Sequence, residues 1–119
     1  EANIKKISVL TCLMCMVTLL CAGQKKAAYD MPPGLSEKNQ KQFIQFFTEG
    51  ETYYNISCAE CHNIKEKRKT FYPHFTEVQL ELYIMRVKNP DHTNRLTMKD
   101  VSDEELQKIM HFLKYLKKP

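Results

Sequence analysis

Residues 50–62 read GETYYNISCAECH. The stretch opens as part of an amphipathic helix. It closes on two cysteines three positions apart, with a histidine directly after the second. Upstream, Phe43, Phe47, Gly50 and Tyr54 recur at helical spacing, and Phe46 and Tyr53 widen that apolar face. Ser36 is a suitable N-cap for this helix. Gly50 is the odd member, because glycine costs about 1 kcal/mol of helix propensity. Two readings of it stand open. Either another helix crosses closely there, where the missing side chain leaves room, or the helix ends at Gly50 and a new one follows.

Two further helices are announced by their caps. Thr76-Glu77-Val78-Gln79 is a capping box, in which the Thr and Gln side chains satisfy free backbone N–H groups. Leu80, Tyr83, Ile84 and Val87 follow at i, i+3, i+4 and i+7, and Pro90 ends the pattern. Ser102-Asp103-Glu104-Glu105 is a second box, with acids at the positive end of the helix dipole. Leu106, Ile109, Met110, Leu113 and Leu116 form its apolar face, and Lys117 and Lys118 sit at the negative end. Met85 and Met110 read as packing residues. His111 falls with Gln107 and Lys114 on the polar side, facing solvent. No alternating strand pattern of useful length occurs, so the predicted fold class is all-α.

The chain has 119 residues, room for one small domain. It is 43% hydrophobic and 27% charged, as soluble globular chains are. The net charge of +4 is too weak to argue for nucleic acid, and no basic stripe with interleaved aromatics occurs. It does bias docking toward acidic partners.

Asn3-Ile4-Lys5-Lys6 leads into an apolar run, Ile7 to Ala22, and then Gly23-Gln24-Lys25-Lys26. A basic start, a short apolar core and small residues at the exit describe an export signal. The run is about 16 residues, short of the roughly 20 that span a membrane comfortably. Residues 1–23 are therefore expected to be a signal peptide; a retained membrane anchor and a lipid on Cys21 are the other routes. Each places the remainder outside the cytoplasm, in the periplasm. Residues 24–35 read as a linker, with Pro32-Pro33-Gly34 as breaker, and residues 36–119 as the folded domain. Cys12 and Cys15 lie in the apolar run with no histidine after them, so Cys58 and Cys61 are the cysteines of the exported part. A domain of this size buries little apolar surface and ordinarily needs a disulfide, a metal or a cofactor.

C-x-x-C-H is the attachment motif of c-type haem. Three residues, close to one helical turn, bring both thiols to one edge of a porphyrin, where they add to its two vinyl groups. His62 can then reach the iron, provided its other ring nitrogen finds an acceptor. The same letters fit a redox dithiol or half a zinc site. A dithiol motif expects a preceding strand in an α/β fold, whereas here the preceding pattern is helical. Zinc needs a paired second half, and His74, His92 and His111 are scattered.

From Gly50 to Leu116 the chain resembles the class I cytochromes c. Gly50 to His62 is similar to that family's first helix running into its haem site, and Leu113-Lys114-Tyr115-Leu116 to its C-terminal helix. The resemblance implies a small cytochrome c-like fold of three to four helices wrapped around one covalent haem. It implies His62 and Met98 as the two iron ligands, and Pro73 as the carbonyl donor to His62. The family's usual Gly-Pro is Tyr72-Pro73 here, and its frequent Met-Pro is Met98-Lys99. His74 or His92 in place of Met98 would give bis-histidine ligation. Phe71, Tyr72, Phe75, Leu80, Tyr83, Ile84 and Leu96 are the candidate pocket wall. Lys65, Lys67, Arg68 and Lys69 form a basic run just past the motif, either a solvated loop or a docking patch. The implied function is one-electron transfer between redox-protein donors and acceptors with acidic docking surfaces, and no enzymatic activity. The alternative is a haem-based sensor or enzyme subunit with an open or displaceable sixth position.

Overall fold

The computed structural model describes residues 28–93 and 101–119. The expected export signal, residues 1–23, and Leu96 and Met98 lie outside the described residues. The chain builds α1 (Glu37–Ser57), α2 (Ala59–His62), β1 (Ile64–Glu66), β2 (Lys69–Phe71), α3 (Glu77–Val87), α4 (Pro90–Thr93) and α5 (Asp103–Tyr115). Among the described residues no helix is long and apolar enough to cross a membrane.

The all-α expectation is corrected by the hairpin. β1 and β2 pair antiparallel, with Ile64 opposite Phe71, Lys65 opposite Thr70 and Glu66 opposite Lys69. Strands of three residues are too short to show a period of two in sequence. The connecting residues, Lys67 and Arg68, have φ of 46° and 67°. A tight two-residue hairpin turn requires this pair of positive angles and normally takes Asn-Gly or Asp-Gly. Neither signal is present in the letters, and each left-handed side-chain residue costs roughly 1 kcal/mol.

The three long helices begin where their caps predict. Ser36 accepts from the Asn39 backbone N–H at 3.3 Å. The capping boxes Thr76–Gln79 and Ser102–Glu105 are both complete. Pro90 follows the end of α3 and also opens α4, since its fixed φ and missing donor suit a first helical position.

Gly50 lies inside α1, so the close-crossing reading holds. A Cβ there would run onto the Lys108 carbonyl and come within 2.9 Å of Phe112 Cβ. α1 and α5 therefore pack backbone against backbone at this point. Lys108 closes the crossing from the side, pairing with Glu49 at 2.6 Å and Glu104 at 3.1 Å. Its ammonium also stands over the Phe46 and Tyr53 rings. The core around the crossing is aromatic. Phe112, fully buried, meets Phe47, Tyr54 and Tyr72 with ring centres 5.1–5.4 Å apart.

Four side chains depart from the sequence reading. Phe112 belongs to the α5 core face, which is wider than the predicted row. Met85 is 69% exposed and Ile84 42% exposed, because α3 buries only the row Leu80, Tyr83 and Val87. His111 does not face solvent: its Nε2 lies 3.1 Å from the Phe43 carbonyl oxygen, and its ring packs on Phe43 and Tyr115. Within the expected linker, residues 28–30 run antiparallel to the C-terminal segment. Asp30 N–H donates to Tyr115 O at 2.9 Å, Lys117 N–H donates to Ala28 O at 3.0 Å, and the Tyr29 ring packs on Phe43 and Phe47.

Gly50→Ala should destabilise the domain by about 1–3 kcal/mol in urea unfolding, because overpacking outweighs the gain in helix propensity. An unchanged midpoint would contradict the close crossing.

Candidate functional site

The C-x-x-C-H motif sits where α1 breaks. Cys58 leaves helical geometry at φ −124° and ψ −33°, ends α1 and precedes α2. Its N–H still donates to the Tyr54 carbonyl at 2.8 Å, while its own carbonyl accepts from His62 N–H at 3.0 Å. The motif is thus one turn of helix with both thiols and the imidazole on it. Tyr54 also fixes the exit of that turn: its hydroxyl donates to Asn63 Oδ1 at 2.7 Å, and the side chain is fully buried.

Cys58 is half-buried and Cys61 exposed. Burial pushes the Cys58 thiol up, aided by its neighbour Cys61 and opposed by the Tyr83 hydroxyl. A buried thiol kept protonated is the opposite of the activated thiolate that a redox dithiol uses. The Tyr83 hydroxyl is likewise pushed up, by burial and then by Cys58. Apart from this contact, Tyr83 Oη is buried with no hydrogen-bond partner among the described residues.

The His62 ring is half-buried, and burial, followed by the adjacent His92, holds its pKa below the ordinary histidine value. The neutral imidazole is the form that binds a metal. Its ring centre lies 6.2 Å from Phe75, 6.3 Å from Tyr83 and 6.3 Å from His92, with the two imidazole planes 27° apart. These residues, with Gln79, Arg86 and Val87, line a cavity of about 140 Å³. His92 Nδ1 is buried there with no hydrogen-bond partner among the described residues.

The structure brings Cys58, Cys61, His62, Phe75 and Tyr83 together, and adds His92. It sets others apart. Tyr72 packs against Tyr54 and Phe112, and its hydroxyl donates to the Glu51 carboxylate at 2.9 Å. Pro73 is buried, but no hydrogen bond joins its carbonyl to the His62 ring. Leu80 belongs to the core. Phe71 and His74 line a separate groove of about 510 Å³ between the hairpin and the C-terminal residues. Val87 was legible as core from its spacing. Gln79 read only as a cap, and nothing in the letters marked Arg86.

The donor set fits a c-type haem: two thiols on one turn and a neutral imidazole beside them, with Tyr83 and His92 lining the same cavity. The enclosed volume is smaller than a porphyrin, so holding one would require the walls to separate. Among the described residues no group of three or more His, Cys, Asp or Glu side chains is placed to hold a metal ion directly. No protein-family model matches the chain, and neither a curated protein nor a solved structure matches it significantly.

His62 and His111 are both held below the ordinary histidine value, chiefly by burial. The unfolded haem-free chain therefore binds more protons than the folded one below about pH 6.5. Stability is full above that value and falls as the pH drops through it toward the folded pKa values. Urea unfolding of the haem-free chain between neutrality and mild acid should show this loss. His111→Gln, which keeps a donor for the Phe43 carbonyl, should flatten the pH dependence.

Proposed function

We propose that this protein is an exported single-haem c-type cytochrome that carries one electron at a time between redox proteins. The observation that supports it best is the turn formed by Cys58, Cys61 and His62, with the neutral imidazole lining a cavity together with Phe75, Tyr83 and Val87. Cys58 and Cys61 would bind the haem covalently, each S–H adding across one vinyl double bond. Haem supplies a single iron that changes between the ferrous and ferric states. His62 would hold the iron through its neutral imidazole. Phe75, Tyr83 and Val87 exclude water from it, which together with ligand identity sets the potential. Export and a periplasmic location belong to this reading through residues 1–23.

For the second axial position Met98 is the sulfur ligand that the resemblance implies. The structure gives a specific reason to weigh His92 beside it. His92 would be a second imidazole able to hold the iron, because it lines the same cavity as His62. His62 and His92 stand 6.3 Å apart, and His92 Nδ1 is unpartnered among the described residues.

Expression with a c-type maturation system, followed by haem staining of the denatured chain, tests the reading. Covalent haem is expected, and it should be absent from the Cys58→Ser/Cys61→Ser double variant. A wild-type chain without covalent haem would overturn the proposal. Ferric spectra then separate the ligands. The weak far-red band of iron–sulfur ligation, lost in Met98→Ala, assigns Met98. Its absence from the wild type, with conversion to high spin in His92→Ala, assigns His92. High-spin iron in the wild type would replace the carrier by a sensor or enzyme subunit.

A further inference from the structure

We propose that the outer face of α3 is the interface of a weak two-fold dimer of this chain, in which two copies of the helix lie parallel. Nothing in this surface depends on the cofactor.

α3 is apolar on two sides. Leu80, Tyr83 and Val87 are buried in the core. Val78, Leu82 and Met85 form a second row at i, i+4 and i+7. At about 100° per residue this row lies almost diametrically opposite the first. Its members are 64%, 37% and 69% exposed, and none belongs to the core or to the partly buried residues packed on it. Ile84, also exposed, stands apart from the row, on the groove between α3 and α5. A surface helix ordinarily carries one apolar stripe and a polar back. Here the back is apolar as well.

The charges beside the row select its occupant. A spacing of four and then three makes Val78, Leu82 and Met85 the d, a and d positions of a heptad. Glu81, directly before Leu82, is then at g, and Arg86, directly after Met85, is at e. In a parallel pair of helices g of one copy faces e of the other. A two-fold axis running along the helices therefore sets Glu81 of each copy against Arg86 of the second copy. Acid on one flank and base on the other is the self-complementarity that an isologous interface requires. An antiparallel pair would set acid beside acid instead. Neither Glu81 nor Arg86 forms an ion pair among the described residues.

An isolated helix of 11 residues would not order itself by such pairing. α3 is ordered already, by its complete capping box and by the inner row held in the core. Three apolar side chains per copy make a small interface, so a dissociation constant on the order of 0.1 mM is expected. A lipid surface would also take an apolar row, but membrane-surface helices are rich in Lys and Arg, whereas this row has Glu81 on one flank.

The test is sedimentation equilibrium of the full chain from about 10 μM to about 1 mM, a range that brackets that constant. Co-sedimentation with phosphatidylcholine–phosphatidylglycerol vesicles runs beside it. A monomer–dimer equilibrium is expected. Association through the apolar run at residues 7–22 is separated from it by the α3 variants. Met85→Gln should weaken the dimer about tenfold and leave the Tm of the dilute chain unchanged. Glu81→Arg and Arg86→Glu should each weaken it about tenfold, because each sets like charges against one another at both contacts. An equimolar mixture of these two variants should dimerise at least as well as the wild type, since the mixed pair has opposite charges at both contacts. Misfolded variants would not recover in this way. A monomer throughout the range, dimers that the three variants leave unchanged, or a mixture that fails to recover would each overturn the proposal. A chain that stays monomeric and binds the vesicles, with binding lost in Met85→Gln, would replace it with a membrane contact.

Discussion

The rest of the structure depends on how Tyr54 holds the turn after it. Its carbonyl takes the Cys58 N–H and its hydroxyl grips Asn63, so one buried residue fixes both ends of the segment between them. Its ring is locked in turn by Phe112 and Tyr72. Tyr72 is tied to α1 through Glu51 and Asn55. The orientation of Cys58, Cys61 and His62 is thereby passed down from the α1–α5 crossing, which exists because Gly50 lets two backbones meet. A functional turn of four residues could not hold its shape by its own hydrogen bonds. It borrows rigidity from α1, the longest helix among the described residues.

Much of this was legible in the letters. The caps Ser36, Thr76 and Ser102 marked the starts of the three long helices, because a side-chain oxygen three residues before a free N–H is a local signal. Phe43, Phe47 and Tyr54 announced their face for the same local reason. Gly50 was ambiguous because its meaning depends on α5, a partner far away in sequence. The hairpin was invisible: three-residue strands carry no usable period, and a turn of Lys and Arg contradicts ordinary turn chemistry. His111 misled because its position on the helical wheel borders Gln107 and Lys114, whereas its environment is set by Phe43 on another helix.

The site shows the same division. C-x-x-C-H was plain because its spacing is chemical and contiguous. The surroundings were not, since Phe75, Val87 and His92 reach His62 only through the fold. His92 in particular carries no mark in sequence that separates it from His74, yet one lines the cavity at His62 and the other opens onto a groove beside the hairpin. Burial acts consistently on the turn. It raises the Cys58 thiol and lowers the His62 imidazole, so in both the uncharged form is favoured.

The pairing of residues 28–30 with residues 115–117 makes the domain's path nearly a closed ring. Chain leading into residue 28 therefore arrives at the corner where α5 stops, against Phe43 and Phe47. Cys58 lies roughly 20 Å further along α1, at about 1.5 Å per residue from Phe43. Residues 28–30 thus meet α1 in its N-terminal half, with Tyr29 against Phe43 and Phe47. The turn that bears the two thiols and the imidazole is therefore about three to four helical turns away from the point where the described chain joins α1.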